Sequence, residues 1–525
     1  MQLYKSLLLL LLAISIVIVL KLPENLSSAL NWSQPILSFD LSFRIILISF
    51  LSVAFLVVLP ARTLSFSEVI SFFAYTICSL GAILSKQMIL VIIFCELMSI
   101  SAFFIIAAGS KESGPAIRYA CVHFFVGVIL IAGLALLPGQ NSNGLNLIII
   151  GLLINCACFP FSFWVVDAYP AASLHGTTYL SLFTTKVSFL VMLLHTFSLW
   201  KNHAEALALL GSATTVYSII FASLEKNIRR FLCYNVVGQM GLLIIAGSLL
   251  APSESAIPIL TLHIIFSLVY QSLLFVVANS VIVRTKSTSF NGIGKLVSVE
   301  GMCAIIAILS MAAFPGTAGF ISKSYIATEV GMNAAALTGY KNLYKILNLL
   351  LYLSVGLKFI YYIFIAKGKS KLSAEKENKL PTIILAFICV VAGNPYLFIY
   401  NQSSIFDLVY TTKNIWSQFN LLLCTTLLFI PLRKLFYPRI NFKMDVDWIF
   451  RAFVPYIISL FNKLASKIRE MSAIVLQNLT NLLTSLYFNN ITKLEGVLSY
   501  NSVSFVSAAS LFLISVLLVL LCLNH

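Results

Sequence analysis

The chain has 525 residues, of which 60% are hydrophobic and only 10% charged, with a formal net charge of +16. A water-soluble domain is about one-quarter charged, so this composition excludes a soluble globular enzyme and describes a polytopic membrane protein surrounded by lipid and other helices. Ten cysteines are scattered through apolar runs without metal-ligand spacing, and there is no Walker loop, GxGxxG, CxxCH or iron–sulfur spacing; no cofactor, metal or catalytic site is expected within the chain.

Apolar runs long enough to cross a bilayer fall near residues 6–20, 36–60, 66–84, 87–109, 116–137, 146–165, 172–198, 205–224, 231–250, 257–283, 297–338, 343–366, 380–401, 417–436 and 502–522. The first follows a single Lys5 and is expected to be a retained helix, because its flank, Lys21-Leu-Pro-Glu24, has no small-residue cleavage site. Cys158-Phe-Pro-Phe161 breaks the sixth run near its end. The run at 297–338 is too long for one plain helix, and its centre, Ala313-Phe-Pro-Gly-Thr-Ala-Gly319, is a helix breaker, so it reads as one discontinuous helix. The expected fold is all-α, with about fifteen transmembrane helices, two of them discontinuous and placed as corresponding parts of two inverted-repeat halves.

Residues 447–495 depart from this pattern. Ile449, Phe453, Ile457, Leu460, Leu464, Ile468, Met471, Val475, Leu479, Leu482 and Leu486 recur in steps of four or three, while Lys463, Lys467, Arg469, Gln477 and Asn478 occupy the other face. Too polar to span, this stripe would run roughly 55–60 Å at 1.5 Å per residue. It would lie along the cytoplasmic surface, either on lipid headgroups or as a strap across a partner subunit. The chain thus divides into N-terminal helices (1–65), a core (66–366), additional transmembrane helices (367–446), the lateral amphipathic helix (447–495) and a C-terminal transmembrane helix (496–525).

Loop charges orient the chain. With the N-terminus in the cytoplasm, the inside loops hold Arg62, Lys111, Arg118, Lys226, Arg229, Arg230, Arg284 and the cluster from Lys367 to Lys379, whereas the outside loops hold only Lys21, Lys86, Lys201, Lys341, Lys345 and Lys413. That asymmetry follows the positive-inside rule. The net charge is therefore topology, and a nucleic-acid partner is not expected.

Four ionisable residues lie inside apolar helices: Glu96, Lys186, His263 and Lys323. A charge at the bilayer centre costs on the order of 3 kcal/mol even on the mild insertion scale, so such residues are usually kept for ion or proton handling. Glu96 needs a cation, a polar cavity or a proton; Lys186 poses the same problem in the opposite sign. His263 precedes Ser267 and Gln271 at i+4 and i+8 on one face, and Lys323 follows the Gly319 break by four residues. The plainer alternatives are a structural ion pair for Glu96 and Lys186, snorkelling for Lys323 and a local hydrogen bond for His263.

These segments together resemble the antiporter-like subunits, the large membrane subunits of respiratory complex I and of Mrp-type multisubunit cation/proton antiporters. Cys95 to Ser99 resembles the family's WELMSL helix, Phe159 to Ala168 its FPFHxWLPDA, and Ala171 to Lys186 its APTPVSALLxxxxxK. Leu224 to Gly241 resembles xxDIKRLLAYSTVSQLG, Leu262 to Phe275 HLLNHALFKALLF, and Ala313 to Lys323 xPPLSGFxSK; Asp445-Val-Asp-Trp448 resembles a DxDW that follows the core in some members. The resemblance covers most of residues 36–366 and implies a mid-membrane proton path on which Glu96, Lys186, His263 and Lys323 occupy the family's stations. It also implies hydrophobic partner subunits, protons with Na+ or K+ as the candidate exchanged cation, and a multi-pass place in a bacterial inner membrane.

Three stations differ. The family's lysine five residues before the first break falls on Asn155, its second histidine on Ser267 and the following lysine on Gln271. These side chains hold water but carry no charge. His123, one helix after Glu96, is the candidate substitute partner for that carboxylate. The expected function is that of a proton- or cation-translocating subunit, in first place one resembling the D-type polypeptide of Mrp-type cation/proton antiporters. The alternatives are a membrane-arm subunit of an NADH–quinone oxidoreductase-type complex, whose dehydrogenase chemistry lies in other chains, and a non-conducting scaffold paralogue.

Overall fold

A computed structural model describes residues 2–22, 41–62, 64–110, 112–137, 142–251, 253, 256–290, 293, 299–329, 337–366, 378–394, 396, 409–437 and 454–494. Among these the chain is helical, with one isolated bridge between Asn227 and Ser289. Nine helical stretches of the described residues are long and apolar enough to cross a membrane, and four shorter apolar helices accompany them. The expected crossing at 502–522, the terminal helix at 496–525 and the motif at 445–448 lie outside the described residues.

The helices are α1 (Gln2–Lys21), α2 (Leu41–Val58), α3 (Phe66–Leu84), α4 (Met88–Gly109), α5 (Gly114–Leu136), α6 (Ser142–Asn155), α7 (Phe163–Ala168), α8 (Leu174–Leu180) and α9 (Thr184–Thr196). They continue as α10 (Trp200–Leu224), α11 (Ile228–Leu250), α12 (Ala256–Thr285), α13 (Val299–Met311), α14 (Ala318–Glu329) and α15 (Thr338–Leu351), the last prolonged by wider π-helical turns to Ile365. α16 (Leu380–Val391), α17 (Thr412–Leu432) and α18 (Val454–Leu494) complete the set. Polar side chains set several starts. Ser65 and Glu68 form a capping box on α3, and Asn227 Oδ1 accepts the Arg229 and Arg230 N–H groups at the start of α11.

Both breaks expected from sequence are present, and one cap makes them. α6 ends with Ala157 at φ 60°, its N–H donating to the Ile154 carbonyl (2.9 Å) and the Cys158 N–H to Leu153 (3.1 Å). α13 ends with Ala313 at φ 65°, its N–H donating to Ser310 (3.2 Å) and the Phe314 N–H to Leu309 (2.9 Å). This paired hydrogen-bond pattern around a left-handed residue closes a helix, and Pro160 or Pro315 just beyond prevents its renewal. A further interruption, at residues 181–183, parts α8 from α9 within the run that the sequence presents as one span, 172–198.

The core of residues 1–448 is built around α11, buried along nearly all its length, and α12. α4 and α5 turn Ile93, Leu97, Phe104, Phe124 and Val128 outward, as a lipid- or subunit-facing wall does. Helices in a membrane associate through close van der Waals packing rather than through the hydrophobic effect. α10 and α11 meet that requirement at Gly211 and Gly241: a Cβ on Gly211 would lie 2.7 Å from the Gly241 carbonyl oxygen, and one on Gly241 would lie 2.6 Å from that of Gly211. Residues 449–525 form a separate unit. Its described part, α18, is 41 residues long, and the stripe residues Leu460, Leu464, Ile468, Met471, Val475, Leu479 and Leu482 are exposed.

The glycine seam generates a stability prediction. Gly241→Ala places a methyl against backbone that cannot give way, and should lower the thermal midpoint of the detergent-solubilised chain by an amount equivalent to about 1–3 kcal/mol. Gly339→Ala, where a Cβ meets nothing within 4 Å, should leave the midpoint unchanged.

Candidate functional site

Glu96 is half-buried on α4, and its carboxylate rests against Gly127 of α5, where a Cβ would come within 2.6 Å of Oε1. Among the described residues it has no hydrogen-bond or ion-pair partner. One turn further along α4, the Ser99 hydroxyl donates to the Cys95 carbonyl (2.9 Å) and lies 3.2 Å from His123 Nδ1. The substitute partner expected for Glu96 is thus bonded to Ser99 instead. His123 is buried between Tyr119, with ring centroids 4.2 Å apart, and Trp164 at 4.7 Å, and Asn155 lies beside it. Asn155 is the last residue of α6, and Trp164 Nε1 donates to the Ile154 carbonyl (3.0 Å), tying α7 back across the break.

Lys186 lies in the first turn of α9, fully inside the protein, and its Nζ donates to the Ser181 carbonyl (2.7 Å) in the interruption before that helix. Tyr75 of α3 secures the same gap. Its hydroxyl donates to the Leu180 carbonyl (3.1 Å), accepts the Thr184 N–H (3.0 Å) and lies 2.5 Å from Thr184 Oγ1. Backbone groups freed inside a bilayer cost several kcal/mol each if unmet; here a lysine and a tyrosine meet them.

In the second half, His263 Nδ1 of α12 is 2.8 Å from Ser322 Oγ of α14. The next residue, Lys323, donates to the Met311 carbonyl at the end of α13 (2.6 Å), Asn348 Oδ1 of α15 (2.7 Å) and Gln239 Oε1 of α11 (3.2 Å). Gln239 Oε1 also accepts the Tyr270 hydroxyl at 3.1 Å. A pocket of about 40 Å³ opens beside Lys323, lined among others by Ser324, Tyr344, Lys345, Asn348 and Gln418; a volume on this scale admits water. Ser267 turns back on its own helix, donating to the Ile264 carbonyl at 2.7 Å, and Gln271 is buried with Oε1 unbonded.

The structure therefore bonds His263 to Ser322, the residue before Lys323, and His123 to Ser99, which lies one turn from Glu96 on α4. None of the four ionisable residues forms an ion pair among the described residues, whose salt bridges include Arg118–Asp167, Arg230–Glu225 and the contacts of Arg284 and Lys379 with Glu300. Sequence reasoning missed Tyr75, Gln239 and Asn348, which are polar residues with no charge to mark them. It also missed Lys358, a wholly buried lysine in the run 343–366 whose Nζ donates to the carbonyls of Ala222, Ser223 and Glu225 at the end of α10.

Residues 85–340 match the family model described as NADH:quinone oxidoreductase/Mrp antiporter, TM. NADH-quinone oxidoreductase subunit N of Cytophaga hutchinsonii is 25% identical over 293 residues, which are 49% of this chain and 62% of that protein. Na(+)/H(+) antiporter subunit A1 of Staphylococcus aureus is 22% identical over 365 residues, covering 60% of this chain and 45% of the other. A chain of the Mrp complex from Dietzia sp. DQ12-45-1b shares the fold at TM-score 0.64 and 15% identity, over 79% of this chain and 94% of that one.

The neutral cage of Lys323 carries a prediction. Lys323→Met takes the lysine donor from the Met311 carbonyl and Asn348 Oδ1, while Gln239 Oε1 keeps the Tyr270 hydroxyl; each buried acceptor left unmet costs about 1–3 kcal/mol, so the thermal midpoint of the purified chain should fall clearly. Lys323→Arg, which keeps donors in place, should fall less.

Proposed function

We propose, for a chain that belongs through residues 85–340 to the antiporter-like membrane subunits of NADH:quinone oxidoreductases and Mrp antiporters, that it moves protons along its row of buried polar groups as one subunit of a larger membrane complex. The observation that carries this is the way the charges are held. Lys186 and Lys323 are solvated by carbonyl and amide oxygens rather than neutralised by carboxylates. A lysine locked to a carboxylate is held in its charged form, whereas one held by neutral acceptors can release and regain a proton without leaving an unpaired ion behind.

In this reading Glu96 meets the proton in the first half and Lys186 is the central carrier. His263 hands on through Ser322, and Lys323 releases into the pocket bounded by Tyr344 and Lys345. Asn155, Ser267 and Gln271 serve as polar rests able to order water between charged stations. The repeated cap at Ala157 and Ala313 supports two halves of like design.

The host is proposed to be of the NADH–quinone oxidoreductase type, the class of the subunit N relative, with redox cofactors in other subunits. A Mrp-type cation/proton antiporter is the second reading, favoured by the subunit A1 match over 60% of the chain; neither relative is of the D type expected from sequence. The N-terminus is assigned to the cytoplasmic side of a bacterial inner membrane on the loop charges.

Inverted vesicles from cells carrying the whole complex test this, with proton movement read by a pH-sensitive dye after addition of NADH or a pulse of Na+ or K+. Lys186→Ala should reduce proton movement to the level of vesicles lacking the chain while its neighbours still co-purify. Undiminished movement would overturn the assignment, and if deletion alone abolishes it by dissolving the complex, the chain is a scaffold.

A further inference from the structure

Resting on that conducting reading, we propose that His123 is the proton carrier between Glu96 and Lys186, two groups that do not touch. Gly127, against which the Glu96 carboxylate rests, lies four residues after His123, one turn along α5; Ser99, which reaches His123, lies three residues after Glu96 on α4. Glu96 and the imidazole thus occupy adjacent turns of one helix interface, and the Ser99 hydroxyl meets the imidazole.

Beyond His123, Tyr119 reaches the first turn of α9. Tyr119 packs on the imidazole at 4.2 Å, and its hydroxyl lies beside Thr184, two residues before Lys186. His123 Nε2, the Tyr119 hydroxyl and Asn155 Oδ1 are all buried and make no hydrogen bond of normal geometry, with Asn155 beside the imidazole and the Tyr119 hydroxyl beside Thr184 and Ser99. Unmet buried polar atoms are costly, and three in one place around an imidazole are hard to explain as packing alone.

The chemistry follows from the hydrogen bonds. Because the Ser99 hydroxyl proton is engaged by the Cys95 carbonyl, Nδ1 is the nitrogen that donates to Ser99, which leaves Nε2 a bare base. A proton arriving at Nε2 from the Tyr119 and Asn155 side forms one N–H bond; the Nδ1 proton passes to Ser99 Oγ as the Ser99 hydroxyl turns from the Cys95 carbonyl and gives its own proton to Glu96, and the reverse sequence carries a proton the other way. Each transfer breaks one N–H or O–H bond as the next forms, and tautomer exchange resets the ring. Asn155 supplies an amide beside the imidazole but cannot titrate, so the titratable function of this region falls to His123.

The test uses the full chain in its complex and the dye assay in inverted vesicles. His123→Phe keeps an aromatic ring between Tyr119 and Trp164 and removes both nitrogens. It should assemble normally yet reduce proton movement to the Lys186→Ala background, and adding Asn155→Lys, which returns a titratable amine to the neighbouring position, should raise movement above that background. Wild-type movement in His123→Phe overturns the proposal, and a loss that Asn155→Lys leaves unrepaired assigns His123 to packing and overturns it as well. If His123→Phe does not assemble, His123→Gln replaces it with the same two outcomes. Lys186→Ala, measured alongside, separates the two levels: if it conducts normally the whole path fails, whereas normal conduction in His123→Phe alone removes only His123.

Discussion

Each fully buried lysine among the described residues sits at the carbonyl end of a helix. Lys186 donates to Ser181, just past α8; Lys323 donates to Met311, the last residue of α13; Lys358 donates to Ala222, Ser223 and Glu225 around the end of α10. A helix ending inside a bilayer exposes carbonyls that need donors, and its dipole places partial negative charge there. An ammonium at the same depth needs acceptors. Neither is tolerable alone, and together each removes most of the other's cost. At residues 181–183 and at Ala313, the interruption and the lysine that meets its carbonyls are therefore one feature.

This pairing bears on function because it avoids carboxylates. The described ion pairs lie elsewhere: Arg118 with Asp167 links α5 to α7, and Arg284 and Lys379 flank Glu300 near the ends of α12 and α13. Those contacts fix helices to one another. Along the axis, by contrast, the partners of Lys186, His263 and Lys323 are a carbonyl, a serine, and a set of amides and a carbonyl. Lys358 lies at a different place, at the end of α10. Held by three carbonyls at one helix end and packed near the rings of Phe231 and Phe290, it has the character of a cap.

Much of this was legible in the sequence because the bilayer penalises exceptions so strongly. Glu96, Lys186, His263 and Lys323 stand out against apolar helices, and Pro160 and Pro315 mark the breaks. The interruption at 181–183 was not legible: Ser181-Leu-Phe-Thr184 contains neither proline nor glycine, and the turn is held open by Tyr75, about a hundred residues away in the chain. Gln239 and Asn348 were hidden for a related reason. An amide in a helix carries no signal until the fold brings Lys323 to it. His123 was visible as a histidine but not as a neighbour of Ser99 and Asn155, since contacts between α4, α5 and α6 are set by packing rather than by spacing.

The central claim is that this row of neutral-caged groups conducts. The most direct measurement is the number of protons moved per electron pair or per exchanged cation by the intact complex carrying Glu96→Gln, which keeps the side chain's shape against Gly127 but removes its charge. A lowered ratio in a fully assembled complex is the predicted result. An unchanged ratio would contradict the account and leave this chain as a scaffold whose buried lysines serve only to close its broken helices.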